Sequence, residues 1–472
     1  MTTSLDPSCP PQSSNPAPRW CAIVVILLTI LAAWPLIFTG NVNGRGASDD
    51  LLFHWPTIQT FADQLPTPDL SSYQSATTPG YHLELAVIHR LGASRMIVQL
   101  YASLWTIILT ALLAWRAGKA FGRAGVILCL PFLASMYCLF PSIWLLPDNA
   151  GWLCVLLLML LALEYRPSLR VITVSGVVLI ALVVIRQSHI WAAVTLAMSA
   201  WVGTQTQVPA INKLFSDLVD RTSRLLPVIF ASIPAGLILL YFMYLWQGLV
   251  PPPFQNNHQS TNLITPAFIL TQVAILSFFF LPILMPQLKK ILKSHRAWWI
   301  DALVFGFIVG ALPPASYYAV DQGRYSGWWN IIAEFPVIAD RSPVIVLGAP
   351  IGALFCVLWC TMVSRRDAWI LAATLAAFAI AQSANHASWQ RYHEPMLIIT
   401  GIIILTRAPA AIRSPKRVYF GCIALTIMLA AITIPTLINA QPVETEPQTQ
   451  TNQITHPTIQ SDHISTLSQQ IP

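Results

Sequence analysis

The sequence predicts an all-α polytopic membrane protein, on three observations. Hydrophobic residues make up 55% of its 472 residues, and Asp, Glu, Lys and Arg only 10%, where a soluble domain carries about 25% charged residues. Apolar runs of bilayer-crossing length recur along the chain, whose mean hydropathy is +0.62. Basic residues gather in alternate breaks between those runs. Such a composition excludes a soluble enzyme, a disordered chain and a disulfide scaffold. The net charge of +7 is not laid out as a basic stripe interleaved with aromatics, so no nucleic-acid partner is expected. The cysteines lie mostly in or beside apolar runs and show no zinc spacing, and no metal or other cofactor is expected.

The elements follow in order. Residues 1–19 are polar and Pro-rich and read as a disordered tail. The membrane domain is expected over 20–438. Its first run, 20–39, is long enough to cross the ~30 Å apolar core at 1.5 Å per residue. It lacks the short core and small-residue ending of a cleaved signal peptide, so it reads as a retained anchor. Further runs lie at 97–115, 126–140, 151–163, 171–185, 190–202, 225–246, 267–285, 298–318, 344–363, 368–384, 396–405 and 418–437, for about 13 spans in all. Arg186 and His189 interrupt the region around 181–201. The tail 439–472 is polar, without Lys or Arg, and reads as disordered.

Orientation follows from the basic residues. With the N-terminus cytoplasmic, alternation places 19 of the 26 Lys and Arg residues inside, and 13 of the 19 acidic residues outside. The seven outward basic residues are Arg45, Arg90, Arg95, Arg186, Arg324, Arg341 and Arg391, with no lysine among them. The inside charges set topology; the outward arginines require another explanation. The C-terminus falls outside, and either a bacterial inner membrane or an endoplasmic reticulum fits. Three outward loops are long: 40–96, 248–266 and 319–342.

The first of these is the most informative. Ser48 suits a helix N-cap, and Asp49 and Asp50 suit the first turn, where the helix dipole favours acids. Asp50 and His54 are four apart and share a face. Thr78 suits a second cap with Pro79 at the first helical position, and Gly92 is a stop signal. Two interfacial helices are expected, anchored by Trp55 and Tyr81. Spacing alone favours a capping role for Asp49 and Asp50. Two functional readings stand beside it: a carboxylate base for a sugar hydroxyl, and a metal pair of Asp50 with His54, which lacks a third ligand.

Asp50-Leu51-Leu52-Phe53-His54, with Pro56 and Gln59, then Ser75-Ala76-Thr77-Thr78-Pro79-Gly80-Tyr81, resembles the first luminal loop of the ALG10/DIE2 family of α-1,2-glucosyltransferases. That family's pattern reads D-E-x-F-H, x-P-Q and I-T-T-P-G-L-Y. Arg186-Gln187-Ser188-His189-Ile190-Trp191 resembles its R-Q-T-N-I-x-W patch. Asn257-His258-Gln259-Ser260 resembles its S-x-H segment before a span. The patches occur in family order. Leu51 stands where the family has Glu, and His189 where it has Asn. The resemblance implies a GT-C fold and inverting transfer of a hexose, glucose by family, from a polyprenyl-phosphate-linked (dolichyl-phosphate-like) donor to a glycan or lipid-linked acceptor. It implies Asp50 as the base.

The other candidates come from residue chemistry in that setting. A leaving lipid phosphate needs positive charge, which arginine's planar fork supplies. Arg186 is the first candidate, because an ionisable residue in an apolar region costs ~2.5–3.5 kcal/mol on insertion scales; its structural alternative is a snorkelling or interhelical arginine. His189 is either a phosphate donor or a span end. His258 is either part of a lid stiffened by Pro251, Pro252 and Pro253 or a satisfied loop histidine. Arg391 and His393 are either a further substrate contact or, with Glu394, an interfacial cluster. Asp148, another outward acid near a span end, is a secondary candidate, as are Asp49 and His54. Asp321, Arg324, Asp340 and Arg341 read as solvated charges, and Trp328 and Trp329 as belt aromatics or a sugar platform. A transporter or flippase of lipid-linked sugars remains an alternative, as does a GT-C enzyme for another sugar, mannosyl or arabinosyl. The lack of an internal repeat and the one-sided polar residues favour an enzyme.

Overall fold

The computed structural model of the chain describes residues 16–439 apart from 166, 205–216, 259, 295, 409–410 and 413. Most of both expected tails, 1–15 and 440–472, lies outside the described residues. The described residues fold almost entirely into helices: α1 (Ala17–Phe38), α2 (Gly44–Asp49), α3 (Trp55–Gln64), α4 (Gly80–Arg90), α5 (Arg95–Phe121), α6 (Gly125–Ala134), α7 (Met136–Leu139), α8 (Asp148–Glu164), α9 (Leu169–Ile185), α10 (Ala193–Val202), α11 (Leu218–Trp246), α12 (Gln255–His258), α13 (Thr265–Phe278), α14 (Leu281–Ser294), α15 (Arg296–Ala311), α16 (Trp328–Ala333), α17 (Pro343–Cys360), α18 (Arg365–Ser383), α19 (Gln390–Arg407) and α20 (Pro415–Ile438). Among them, five segments are long and apolar enough to cross a membrane: α1, the α5–α6 run, α11, α17 extended to Met362, and α20. The protein is an all-α membrane protein.

Helices α8 and α19 form the centre. Both are buried on nearly every side, as a helix apolar all round must be. Helix α5 lies beside them and packs along α1, joined by Trp34 Nε1 donating to Ser103 Oγ at 3.1 Å and by a Thr29–Thr110 hydroxyl bond at 3.1 Å. Gly122 takes φ +61°, a conformation that favours glycine. Gly125 then lies against Ala117, so α6 folds back beside α5.

Several expected elements change. The run 267–285 is not one straight helix. It bends by 110° between α13 and the segment from Leu281 to Lys293, where Pro282 removes a backbone donor. The run 126–140 breaks at Ser135, whose backbone is extended. The tail boundary at 19 moves inward, since α1 begins at Ala17. Ser48 does not cap: the Asn43 amide donates to Asn41 Oδ1 at 2.8 Å, and the helix starts at Gly44. Thr78 does not cap either, because its hydroxyl donates to the Val183 carbonyl at 2.6 Å. Tyr81 is buried rather than an interfacial anchor. Gly92, at φ +95°, does follow the end of α4.

Charge is segregated to the two ends of the bundle. At one end Arg116 pairs with Glu164 at 2.8 Å, and Arg407 with Asp367 at 2.8 Å. Arg366 there donates to the carbonyls of Gly203 and Ala162, both at 2.7 Å, and of Leu163 at 3.2 Å. Those carbonyls lie at or just past the ends of α8 and α10, where backbone acceptors lack helical partners. At the other end stand Asp49, Asp50, Arg95, Asp148, Arg186 and Arg391. Helices α5, α8 and α19 each span both ends: Arg95 to Arg116, Asp148 to Glu164, Arg391 to Arg407. At 1.5 Å per residue these separations are roughly 24–32 Å, close to the ~30 Å apolar core.

Candidate functional site

The first outward loop folds over the second charged end. After α2 the chain makes one wide π-turn over Asp50–His54, the Trp55 amide donating back to the Asp50 carbonyl. Such turns often occur at functional sites. The turn sends Asp50 and His54 to different partners. Asp50 is fully buried, and its Oδ2 accepts from Arg95 Nη2 at 2.6 Å. His54 Nδ1 meets His82 Nε2 at 2.9 Å, with the rings stacked 5.1 Å apart. Among the described residues no group of three or more His, Cys, Asp and Glu side chains is placed to hold a metal ion.

A chain of four charged side chains lies beside this turn. Arg391 hydrogen-bonds Asp49. It also reaches Asp148 Oδ2 at 3.1 Å, and Asp148 Oδ1 accepts from Arg186 Nη1 at 2.6 Å. The Arg186 guanidinium lies 5.4 Å from the centre of the Tyr392 ring, within cation–π range. Asp49, Asp148, Arg186 and Arg391 come from four separate segments, and all four lie more than 30 residues apart in sequence.

Local sequence explains the placement. Helix α9 ends at Ile185, and Arg186 is extended at φ −153°, which turns it out of the helix toward Asp148 on α8. Gln187 then ties three segments together. Its Oε1 accepts from the Thr78 amide at 2.8 Å, and its Nε2 donates to the carbonyls of Ala76 at 2.9 Å and Leu249 at 3.0 Å. A Cβ on Gly80 would stand 2.6 Å from the Val184 carbonyl oxygen, so this approach requires glycine. The Thr78-Pro79-Gly80 and Arg186-Gln187 motifs, more than 100 residues apart, thus meet directly.

The second outward loop covers the same end. Phe254 packs on Phe53 with ring centres 5.4 Å apart. His258 is partly buried and bonded to the Asn385 side chain. One candidate is not brought to the ion pairs. His393 lies two residues beyond Arg391 and so faces another side of α19; it sits between Phe268 and Phe378 with Gln272 Nε2 3.1 Å from its Nδ1. His189 does not share a helix face with Arg186, because the helix breaks there. It is buried 4.5 Å from the Trp152 ring, yet stays beside the cluster, since a Cβ on Gly151 would stand 3.8 Å from its Cε1 and 3.6 Å from Arg186 Cδ. The third loop also differs from expectation: Arg324 is buried and donates to the Tyr317 carbonyl at 2.6 Å, and Trp329 is stacked on Phe268 at 4.3 Å.

Burial governs protonation in the first loop. It pushes the Asp50 carboxyl up to about 6, against the pull of Arg95. It pushes His54 down to about 3, helped by Arg391, and His82 well below the usual histidine range. His258 is likewise lowered, by burial first. The site residues not singled out in sequence are Arg95, His82 and Tyr392. Arg95 carried one signal: it is an outward arginine beside a span.

The fold and this end of the bundle define an all-α membrane protein with a partly buried ion-pair cluster beneath its loops. Comparison with family models, curated proteins and solved structures finds no match to the chain.

Proposed function

We propose that the protein is a multi-pass GT-C-type glycosyltransferase of about 13 spans, with α2, α3 and α4 at the membrane interface. It transfers a hexose, glucose by the resemblance, from a polyprenyl-phosphate sugar to a glycan or lipid-linked oligosaccharide at the extracytoplasmic face, with inversion. One observation supports this most: Asp50 stands in the turn adjoining a partly buried arginine cluster, at the end of the bundle where the first two outward loops meet. Base and phosphate-binding charge are what the reaction needs at one place.

In this reading the Asp50 carboxylate takes the acceptor proton. The acceptor oxygen attacks the anomeric carbon as its bond to the phosphate oxygen breaks, and the lipid phosphate leaves from the opposite face. Arg186 and Arg391 receive the leaving charge, with Asp148 holding both guanidinium groups in place. Arg95 opposes the burial that would otherwise keep Asp50 protonated. His258 and Phe254 close the loop over the donor.

A second reading has its own support. The Asp49 side chain stays 22% exposed beside Arg391, whereas the Asp50 side chain is 0% exposed. Asp49 is then the base and Asp50 its support. A membrane assay with a panel of radiolabelled polyprenyl-phosphate sugars separates the two. Asp50→Asn should lower transfer by roughly 10²–10⁴-fold at normal abundance. Full activity in Asp50→Asn with loss in Asp49→Asn assigns the base to Asp49. Full activity in both variants defeats the assignment of the base to either acid, and no transfer by wild type above membranes lacking the protein defeats the enzymatic reading.

A further inference from the structure

Helices α6, α13–α15 and α17–α20 enclose a cavity of about 940 Å³ that the ion-pair cluster does not use. Its walls are apolar, with Leu276, Phe305, Leu371 and Ile402 among them, and among the described residues its charged lining residues are Lys290, Asp301 and Arg365. These three belong to the end of the bundle opposite Asp50. Arg365 opens α18, Asp301 lies in the second turn of α15, and Lys290 lies in the last turns of α14. All three are exposed. Along α18 the lining runs from Arg365 to Ala379, roughly 21 Å at 1.5 Å per residue, so the cavity takes up much of the bundle's depth. It would hold about 30 waters at ~30 Å³ each, yet its walls give water few partners. An aliphatic chain suits such a space.

The rim specifies the head group. Among the described residues, Lys290 and Arg365 against Asp301 leave one net positive charge, the complement of one phosphodiester. The bend after α13 turns α14 across this end, where Lys289 and Lys293 are also exposed. Basic residues at a membrane surface attract anionic lipid. We propose that the cavity binds an anionic glycerophospholipid of the leaflet on the lysine-rich side, its acyl chain inside and its phosphate between Lys290 and Arg365. This does not rest on the transferase reading.

Native mass spectrometry of protein taken from nanodiscs of equal phosphatidylglycerol and phosphatidylcholine tests it. Gly401 lines the cavity, and a Cβ there meets nothing within 4 Å, so Gly401→Phe starts its side chain in open space and directs a ring at the lining. Gly236 on α11 is equally open and is absent from the lining, so Gly236→Phe is the control. Wild type and Gly236→Phe should retain phosphatidylglycerol, and Gly401→Phe should lose it while keeping its helical signal and Tm. Lys290→Glu and Arg365→Glu change exposed residues and report even if Gly401→Phe misfolds; each should cut the preference for phosphatidylglycerol by about fivefold. Retention unchanged in Gly401→Phe, no preference in wild type, or displacement by equimolar polyprenyl phosphate would overturn the proposal.

Discussion

Two influences meet at Asp50. Burial disfavours its charge and Arg95 favours it, and the balance leaves the carboxyl at about 6. If it is the base, kcat/KM rises with pH through about that value, since the carboxylate is the active form. Removing Arg95 removes the influence that lowers the pKa, so the acid limb in Arg95→Gln should move to higher pH, by about one to two units. A pH–rate profile of membranes checks this, and an unmoved limb shows that another group controls it. Only part of this site was legible from the sequence. Asp50, Asp49, Asp148, Arg186 and Arg391 are all visible as outward polar residues at run ends. Their pairing is not, because Asp49 meets Arg391 across 342 residues and no local spacing encodes such a contact. His393 misleads for a related reason: adjacency to Arg391 in sequence is the opposite of adjacency on a helix.

The junction of the first loop with the break after α9 is the element on which the site depends. Arg186 can leave its helix only if something replaces the lost helical bonds and fixes the chain. Gln187 does so with three hydrogen bonds to Thr78, Ala76 and Leu249. The close approach of Gly80 to Val184 lets α4 reach that point. Gly80→Ala forces the Val184 carbonyl to move, at about 1–3 kcal/mol for an overpacked contact. The purified variant should show a lower Tm, with transfer activity lost alongside, because Arg186 is displaced. An unchanged Tm would show that the junction yields freely. Here the sequence signals a break, since Arg186 and His189 interrupt an apolar run, and the structure shows why it is held. The bend between α13 and α14 is less legible: Pro282 marks a place where a helix can fail, while the 110° angle depends on packing that hydropathy does not record.

Across the whole molecule, charge sorts by depth. Arg116, Arg366 and Arg407 neutralise helix ends or acids on one side, while Asp49, Asp50, Asp148 and their arginines cluster on the other. The lysines of α14 and α20 join the first group by sequence register, and arginine alone supplies the basic side chains of the second. That asymmetry matches the positive-inside pattern, and the orientation we propose from it has α14 at the cytoplasm and the loop that carries Gln322 outward. Both Lys293 and Gln322 are exposed, so a cysteine at either position is reachable from its own side. In intact cells or sealed right-side-out vesicles, a membrane-impermeant maleimide should label Gln322→Cys at once and Lys293→Cys only after permeabilisation. The reverse order would put Asp50 on the cytoplasmic face. A polyprenyl-phosphate sugar presented on the outer side would then lie about one bilayer thickness from the carboxylate, too far for any side chain to reach.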